Sequence, residues 1–256
     1  MDTFLEAAQE SARQAGQMLA DHLTDVREIT YKGSVDLVTN FDRQAQSQIV
    51  NFLSSHFPQH DFLAEEGLSQ EKGSEYRWII DPLDGTTNFA HGFPVFCVSI
   101  ALLKAGEIIL GVVFDPTRNE MFSAVKGGGA SLNSEAMEVS STSDLDRSLL
   151  STGFPYDVRT SLVNNLDHFA NFAVRAQAVR RCGSAAIDLC YVACGRFDGF
   201  WELKLAPWDV AAGALIVMEA GGHVSDFQGH PLDIFGTEIV ATNSRIHGEM
   251  IDVLTN

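Results

Sequence analysis

The sequence predicts an α+β fold, and two contrasting textures along the chain carry that prediction. Over residues 95–125 the runs VFCVSIALL, EIILGVVF and EMFSAV are β-rich. Short connections with turn chemistry, Lys104-Ala105-Gly106 and Asp115-Pro116-Thr117-Arg118-Asn119, join them, which is the pattern of an antiparallel meander. Beyond Ser140-Ser141-Thr142-Ser143-Asp144 strand-like and helix-like stretches alternate instead, as they do in a mixed α/β sheet. The Ser/Thr-rich stretch is the expected boundary, with an N-terminal domain over 1–143 and a C-terminal domain over 144–256.

At the start of the chain Phe4, Ala8, Ala12, Ala15 and Leu19 recur at helical spacing and predict an amphipathic helix. YKGSVDLVTNFD (31–42) reads as a polar loop around a short extended VDLVT. Phe41, Ala45, Ile49, Phe52 and Leu53 then give a second helical stripe. HDFLAEEG (60–67) reads as a strand ending in two acids. Trp78-Ile79-Ile80 reads as a buried strand running into Asp81, and Pro82 is expected to stop it, because proline offers no ladder N–H and keeps the preceding residue extended. Gly127-Gly128-Gly129 is expected to turn the chain at the end of the meander, since no strand-to-helix context follows it. In the second half SLLSTGF, FDGFWEL and EIVATN read as strands, with a short one near Val224. The stretches 162–177, SAAIDLCYVACG, PWDVAAGALIVMEAGG and the residues from Ser244 read as helices.

With 256 residues, 45% of them apolar and 20% charged, the chain can build a real core and is a globular protein. The net charge of −17 repels nucleic-acid phosphates and anionic membranes, which argues against either as a sequence-independent partner. It also repels a small anionic substrate unless a local cation inverts the field. The first residues carry early acids and no unbroken apolar core, unlike a secretory signal, and no apolar run reaches membrane-spanning length. The expected compartment is the cytoplasm. Cys97, Cys182, Cys190 and Cys194 form no CxxC pair and read as small buried hydrophobes in a reducing compartment. His91, His223 and His230 lack metal-like spacing and read as structural or surface residues.

Acids gather at the ends of apolar runs: Glu65 and Glu66 after FLA, Asp81 and Asp84 after WII, and Asp209 after Pro207-Trp208. Such places hold a side chain rigidly. Carboxylates converging there repel one another, so either one protonates or a hard divalent cation neutralises them. Oxygen-only donors favour Mg²⁺ or Mn²⁺ over zinc. A turn after Pro82 can bring the Asp84 carboxylate and the Leu83 carbonyl back beside Asp81, and Gly85 permits close backbone approach. Thr86 and Thr87 then open a helical turn whose N–H groups make an anion site. DPLDGTTNF also fits a tight surface turn with an N-cap. The similar settings of Glu65, Glu66 and Asp209 favour the metal reading.

Two longer motifs extend this. WIIDPLDGTTNFAH (78–91) and WDVAAGALIVMEAGG (208–222) closely resemble, in the right order, the two signatures of the inositol monophosphatase family, magnesium-dependent and lithium-sensitive phosphatases. The resemblance runs from the Lys32 loop to the last strand. It implies a layered αβαβα sandwich, usually a homodimer, with an antiparallel N-terminal sheet and a mixed C-terminal one. It implies two or three Mg²⁺ per subunit, with Mn²⁺ as a substitute and Li⁺ as an inhibitor. Glu65, Asp81 and the Leu83 carbonyl would hold one ion, Asp81, Asp84 and Asp209 a second, and Glu65 would share a weaker third. Thr86, hydrogen-bonded to Asp42, would orient the attacking water, with Glu66 behind the metal ligands and Lys32 nearby. Backbone amides of Gly85, Thr86 and Thr87 would bind phosphate. Gly183-Ser184-Ala185 and Glu202, with Asp84 and Asp209, would read the hydroxyls of a phosphorylated polyol or sugar.

The chain departs from common versions of the pattern at Ala64 and at Lys204-Leu205-Ala206, the latter beside the substrate. Inositol monophosphate is the leading substrate. Fructose 1,6-bisphosphate, 3′-phosphoadenosine nucleotides and histidinol phosphate remain alternatives, because the motifs build the phosphate end. The segment Asp81-Pro82-Leu83-Asp84-Gly85-Thr86 superficially resembles the Asp-x-Asp-Gly-Thr core of aspartate-nucleophile phosphatases, but it is one residue too long. The family also contains bacterial members with transcription-associated roles, so an added protein-binding role is a further expectation.

Overall fold

A computed structural model describes residues 1–25, 29–31 and 37–256. Helix α1 (Asp2–Asp21) is followed by the antiparallel pair β1 (Ile29–Tyr31) and β2 (Leu37–Thr39), then by α2 (Asn40–His56). Next come β3 (Asp61–Ala64), β4 (Leu68–Gln70), β5 (Tyr76–Asp84), the short α3 (Thr86–Ala90), β6 (Cys97–Lys104), β7 (Glu107–Asp115), β8 (Glu120–Val125), β9 (Ala130–Leu132) and β10 (Glu135–Ala136). The second half holds β11 (Leu149–Thr152), α4 (Leu166–Ala173), β12 (Ala178–Arg180), α5 (Ala185–Ala193), β13 (Gly199–Leu203), α6 (Pro207–Glu219), β14 (His223–Ser225), β15 (Glu238–Thr242) and α7 (His247–Thr255).

These elements stack as αβαβα. An eight-stranded sheet runs β10-β9-β8-β7-β6-β5-β3-β4 and a five-stranded sheet runs β12-β11-β13-β15-β14. Period-2 alternation assigns each face. Trp78 and Ile80 of β5, with Val98, Ile100 and Leu102 of β6, pack on the buried stripes of α1 and α2. Ile79, Ala101 and Leu103 point the other way, onto the nearly all-apolar α5 and α6. The far side of α5 and α6 meets Phe200, Ile239 and Ala241 of the second sheet. Trp201, Val240 and Leu150 face outward to α4 and α7. Both helices of the middle layer are apolar around most of their circumference because they are covered from two sides.

The structure changes several expectations. The first sheet is mixed, because β3 and β5 run parallel. The short β4 hairpins onto the outer edge of β3, so the returning chain lays β5 along the inner edge in the direction of β3. Pro82 does not stop its strand. β5 continues to Asp84 while its register against β6 shifts between Asp81 and Asp84, a bulge that absorbs the residue without a ladder donor. The helix expected over 162–177 contracts to α4. Asn165 sits at φ 71 and turns its side chain inward, accepting from Trp201 Nε1 at 2.8 Å and donating to the Gly153 carbonyl at 2.6 Å. The last helix starts at His247, after Asn243 Oδ1 has accepted the amides of Arg245 and Ile246. The glycine run does turn the chain, and the amides of Gly127 and Gly129 also hold the Glu219 carboxylate at 2.8 and 2.9 Å.

Candidate metal and phosphate site

The bulged end of β5 presents Asp81 and Asp84, and the first turn of α6 presents Asp209. Pro207 at the start of α6 suits a position with no helical N–H partner, and Asp209 Oδ2 accepts the Ala206 amide at 2.7 Å. Asp81 is fixed by a 2.9 Å bond from the Leu83 amide. Asp84 Oδ2 accepts from Ser184 Oγ at 2.7 Å and from the Ala186 amide at 2.8 Å, so the start of α5 is tied to β5. One carboxylate oxygen from each of Asp81, Asp84 and Asp209 lies within 4.8 Å of the others.

Burial pushes Asp81 well above the usual carboxylate range, and the charges of Glu65, Asp84 and Asp209 push it further. Asp209 is raised well above that range by burial and then by Asp84. Burial also raises Asp84, although the Ser184 hydroxyl and the Ala186 amide oppose it. A cluster that strains to shed negative charge, with only hard oxygen donors, fits a divalent cation of the Mg²⁺ or Mn²⁺ type. The Leu83 carbonyl lies within the bulge and accepts from Thr86 Oγ1 at 3.1 Å.

Glu65 follows β3 immediately, and its amide donates to Ile80 O at 3.2 Å. Its charge reaches both Asp81 and Asp209, although the three-carboxylate group among the described residues is completed without it. Glu66 is gripped by Gln46 of α2, which accepts its amide at 2.9 Å. Asp42 is fully buried at the start of α2. Its Oδ2 accepts from the Thr39 amide at 2.8 Å and hydroxyl at 2.5 Å, and its Oδ1 accepts from Thr86 Oγ1 at 2.9 Å. The single Thr86 hydroxyl proton can serve either Asp42 or Leu83 at one time. Burial raises Asp42, and the threonine bonds work against that rise. Lys32 lies outside the described residues.

Gly85 starts α3 at φ 96, and a Cβ there would meet Val95 O at 2.9 Å, so glycine is required on both counts. Gly85, Thr86, Thr87 and Asp84 line one wall of a cleft whose other walls include Gly183, Ser184, Ala185, Glu202 and Asp209. The sequence-predicted phosphate and hydroxyl segments therefore face one another. Asn88, part of the first motif, holds them together by donating to Val95 O at 2.7 Å and Cys182 O at 2.9 Å. Glu202 is buried and raised well above its usual range by burial, then by Asp188, Asp209 and Asp84.

Among the cleft residues that escaped sequence reasoning are Arg181, Gly153 and Asp188, whereas Lys204 belongs to a segment the sequence itself singles out. Arg181 is exposed. Lys204 occupies φ 62 and donates its Nζ to Asp157 at 2.7 Å and Ser161 at 2.8 Å, tying down the loop that carries Tyr156. Gly153 and Asp188 line the same cleft. The legible signal for Asp188 was an acid inside the apolar run AAIDLCYVA. Of the histidines, His230 bonds Asp226 at 3.0 Å, and His223 packs on His247 with centroids 4.2 Å apart. The cysteines are free thiols. Among the described residues no helix is long and apolar enough to cross a membrane.

Comparison with known proteins places this geometry in context. A family model described as the inositol monophosphatase family matches residues 1–255. An inositol-1-monophosphatase of Synechocystis sp. is 48% identical over 256 residues, covering 99% of this chain and 89% of that one. The Nus factor SuhB of Pseudomonas aeruginosa is 44% identical, with 96% and 93% covered. A solved inositol monophosphatase from Anabaena (Nostoc) superposes with a TM-score of 0.91 at 43% identity, over 99% of this chain and 96% of that one.

Proposed function

This chain belongs to the inositol monophosphatase family, and we propose that within it the protein is a Mg²⁺-dependent phosphomonoesterase that hydrolyses inositol monophosphate to inositol and phosphate. The observation that carries this reading is the gathering of Asp81, Asp84 and Asp209 within 4.8 Å, in a fold where the Gly85–Thr87 turn and Glu202 line the same cleft. These carboxylates, with Glu65 and the Leu83 carbonyl, would hold Mg²⁺, which would supply charge neutralisation and activation of water.

The chain's own groups do the rest. Thr86, giving its proton to Asp42, keeps its oxygen lone pairs for a proton of the attacking water and so orients that water. Asp42 can hold this arrangement because Thr39 occupies its other oxygen. The amides of Gly85, Thr86 and Thr87 bind the phosphate oxygens. Glu202, Asp84, Asp209 and the Gly183-Ser184-Ala185 segment bind hydroxyls of the leaving alcohol. Glu66 supports Glu65 from behind. We read 1–143 as the metal-binding half and 144–256 as the substrate half. We further read the protein as a cytoplasmic homodimer inhibited by Li⁺.

Phosphate release with and without Mg²⁺, over inositol 1-phosphate, fructose 1,6-bisphosphate, a 3′-phosphoadenosine nucleotide and histidinol phosphate, tests the reading. The expected order puts inositol 1-phosphate first, with Li⁺ inhibiting. A panel in which it is far the poorest substrate rejects it in favour of one of the others. An added protein-binding role is favoured by the relatives called Nus factor SuhB. Affinity capture of transcription or ribosomal factors from a bacterial lysate is its test.

A further inference from the structure

We propose that Asp188 is a further substrate-reading residue, whose carboxyl takes up a hydroxyl of the leaving alcohol beside Glu202. The inference rests on the polyol-phosphate reading above and adds a residue that neither signature motif contains. Ser184 caps α5 by accepting the Ile187 amide at 3.3 Å and donates its hydroxyl to Asp84 at 2.7 Å. Asp188 lies four residues on, and its amide donates to Ser184 O at 3.1 Å. On a helix that spacing sets both side chains on one face, and both line the cleft.

The rest of α5 is a core helix, with Ala186, Ile187, Leu189 and Cys190 fully buried. An acid in such a helix needs a reason. Asp188 is 1% exposed, and its Oδ1 has no hydrogen-bond partner. A buried carboxyl oxygen left unpaired is a standing cost, so a donor arriving with the ligand is favoured at that point. The Cys182 thiol and the Ser151 hydroxyl stand beside the Asp188 carboxyl, the charges of Asp84 and Arg181 reach it, and Glu202 feels the charge of Asp188 in turn.

Bare backbone at Gly153 makes room for the Glu202 carboxyl. A Cβ there would fall 2.1 Å from Glu202 Oε1, so a side chain at 153 would displace that carboxyl from the cleft. The Gly153 carbonyl is held by Asn165 at 2.6 Å, and Asn165 in turn by Trp201 at 2.8 Å. Two neighbouring carboxyl side chains, Asp188 and Glu202, match a neutral ligand rich in hydroxyl donors. An aryl or alkyl leaving group without hydroxyls offers them nothing.

The test compares the Mg²⁺-loaded parent with Asp188→Ala and the near-isosteric Asp188→Asn on inositol 1-phosphate, glycerol 2-phosphate and p-nitrophenyl phosphate. The readout is the ratio of kcat/KM for each polyol ester to that for the aryl ester. Asp188→Ala is expected to lower the ratio by roughly 10-fold or more, the scale of one hydrogen bond to a buried acid, chiefly through KM. Asp188→Asn is expected to lower it by roughly 3-fold, and carries the test alone where the alanine variant does not fold. A ratio within about two-fold of the parent's in the folded variants overturns the assignment, because a merely structural role moves all esters together. A parent that cleaves the aryl ester but neither polyol ester overturns the polyol reading and this inference with it. A parent active on them whose ratio survives substitution overturns Asp188 alone.

Discussion

Replacing Asp84 by asparagine separates the electrostatic part of the site from its packing part. The amide keeps an oxygen of the same shape to accept from Ser184 Oγ and the Ala186 amide, so α5 stays anchored. What disappears is one carboxylate from a group gathered within 4.8 Å. In metal-free protein the loss relieves Asp81 and Asp209, both of which feel Asp84. Asp84→Asn is therefore expected to be at least as stable as the parent, against the loss of about 1 kcal/mol typical of substitutions. With Mg²⁺ the order reverses. An ion at 100 times its dissociation constant adds about 2.7 kcal/mol to the parent, which for a chain of this length raises Tm by roughly 5–10 °C. The variant, short of a ligand, gains only a small part of that and loses roughly 10²–10³-fold or more in kcat. The pH slope follows the same logic. The folded carboxyl pKa values of Asp81, Asp84 and Asp209 are raised, so the metal-free fold binds more protons than the unfolded chain. This cluster's contribution is fully present below the unfolded carboxylate values and is lost as pH rises through the folded ones. Mg²⁺ is expected to flatten that loss. Thermal unfolding with and without Mg²⁺, at mildly acidic and neutral pH, reads all three effects. A parent midpoint indifferent to Mg²⁺, or a variant that keeps both the Mg²⁺ shift and turnover, refutes the reasoning.

Three other perturbations have defined outcomes. Burial, then the charge of His223, pushes His247 down to about 4 from 6.5, so its neutral ring stabilises the fold above pH 6.5 and that stability is lost as pH falls toward 4. His247→Asn should flatten this acid loss in denaturant titrations, and parallel pH curves for variant and parent would contradict it. Gly85→Ala faces both φ 96 and a Cβ 2.9 Å from Val95 O; about 1–3 kcal/mol of stability and at least roughly 10-fold of kcat should go, and a variant matching the parent in both counts against the turn's role. Lys204→Gly relieves φ 62 but releases Asp157 and Ser161, so stability should stay within about 1 kcal/mol while KM rises; an unmoved KM removes that loop from the binding surface.

Period-2 patterning made most of the first sheet legible. Trp78-Ile79-Ile80 divides its side chains between two cores in the order the strand requires. The parallel β3–β5 pair was hidden because β4 is a short, largely polar Leu68–Gln70 stretch that carries no strand signal of its own. At Pro82 a sound local rule lost to a tertiary one: β6 offers enough partners on either side for the ladder to shift and resume at Asp84. The over-long helix at 162–177 failed for a similar reason, since Asn165 serves Thr152, Gly153 and Trp201 in preference to continuing a helix.

Acids at strand and helix ends were readable because their placement is local. Their convergence across the chain is not local, and the sequence announces it only through the resemblance of its two motifs to a known family. Asp84 meets Ser184 from 100 residues away, and nothing in either segment's periodicity announces the contact. That contact matters beyond packing. The same carboxyl belongs to the acidic cluster and anchors the helix that carries Ser184 and Asp188 into the cleft lined by Glu202. Charge at Asp84 strengthens its bonds to the Ser184 hydroxyl and the Ala186 amide, because an ionised acceptor binds them more tightly than a protonated one. Whatever keeps Asp84 ionised therefore also tightens its hold on α5, so the charge state of the cluster and the position of the Ser184 wall of the cleft are linked. The sequence places Asp84 and that wall in different halves of the chain; the fold joins them through a single side chain.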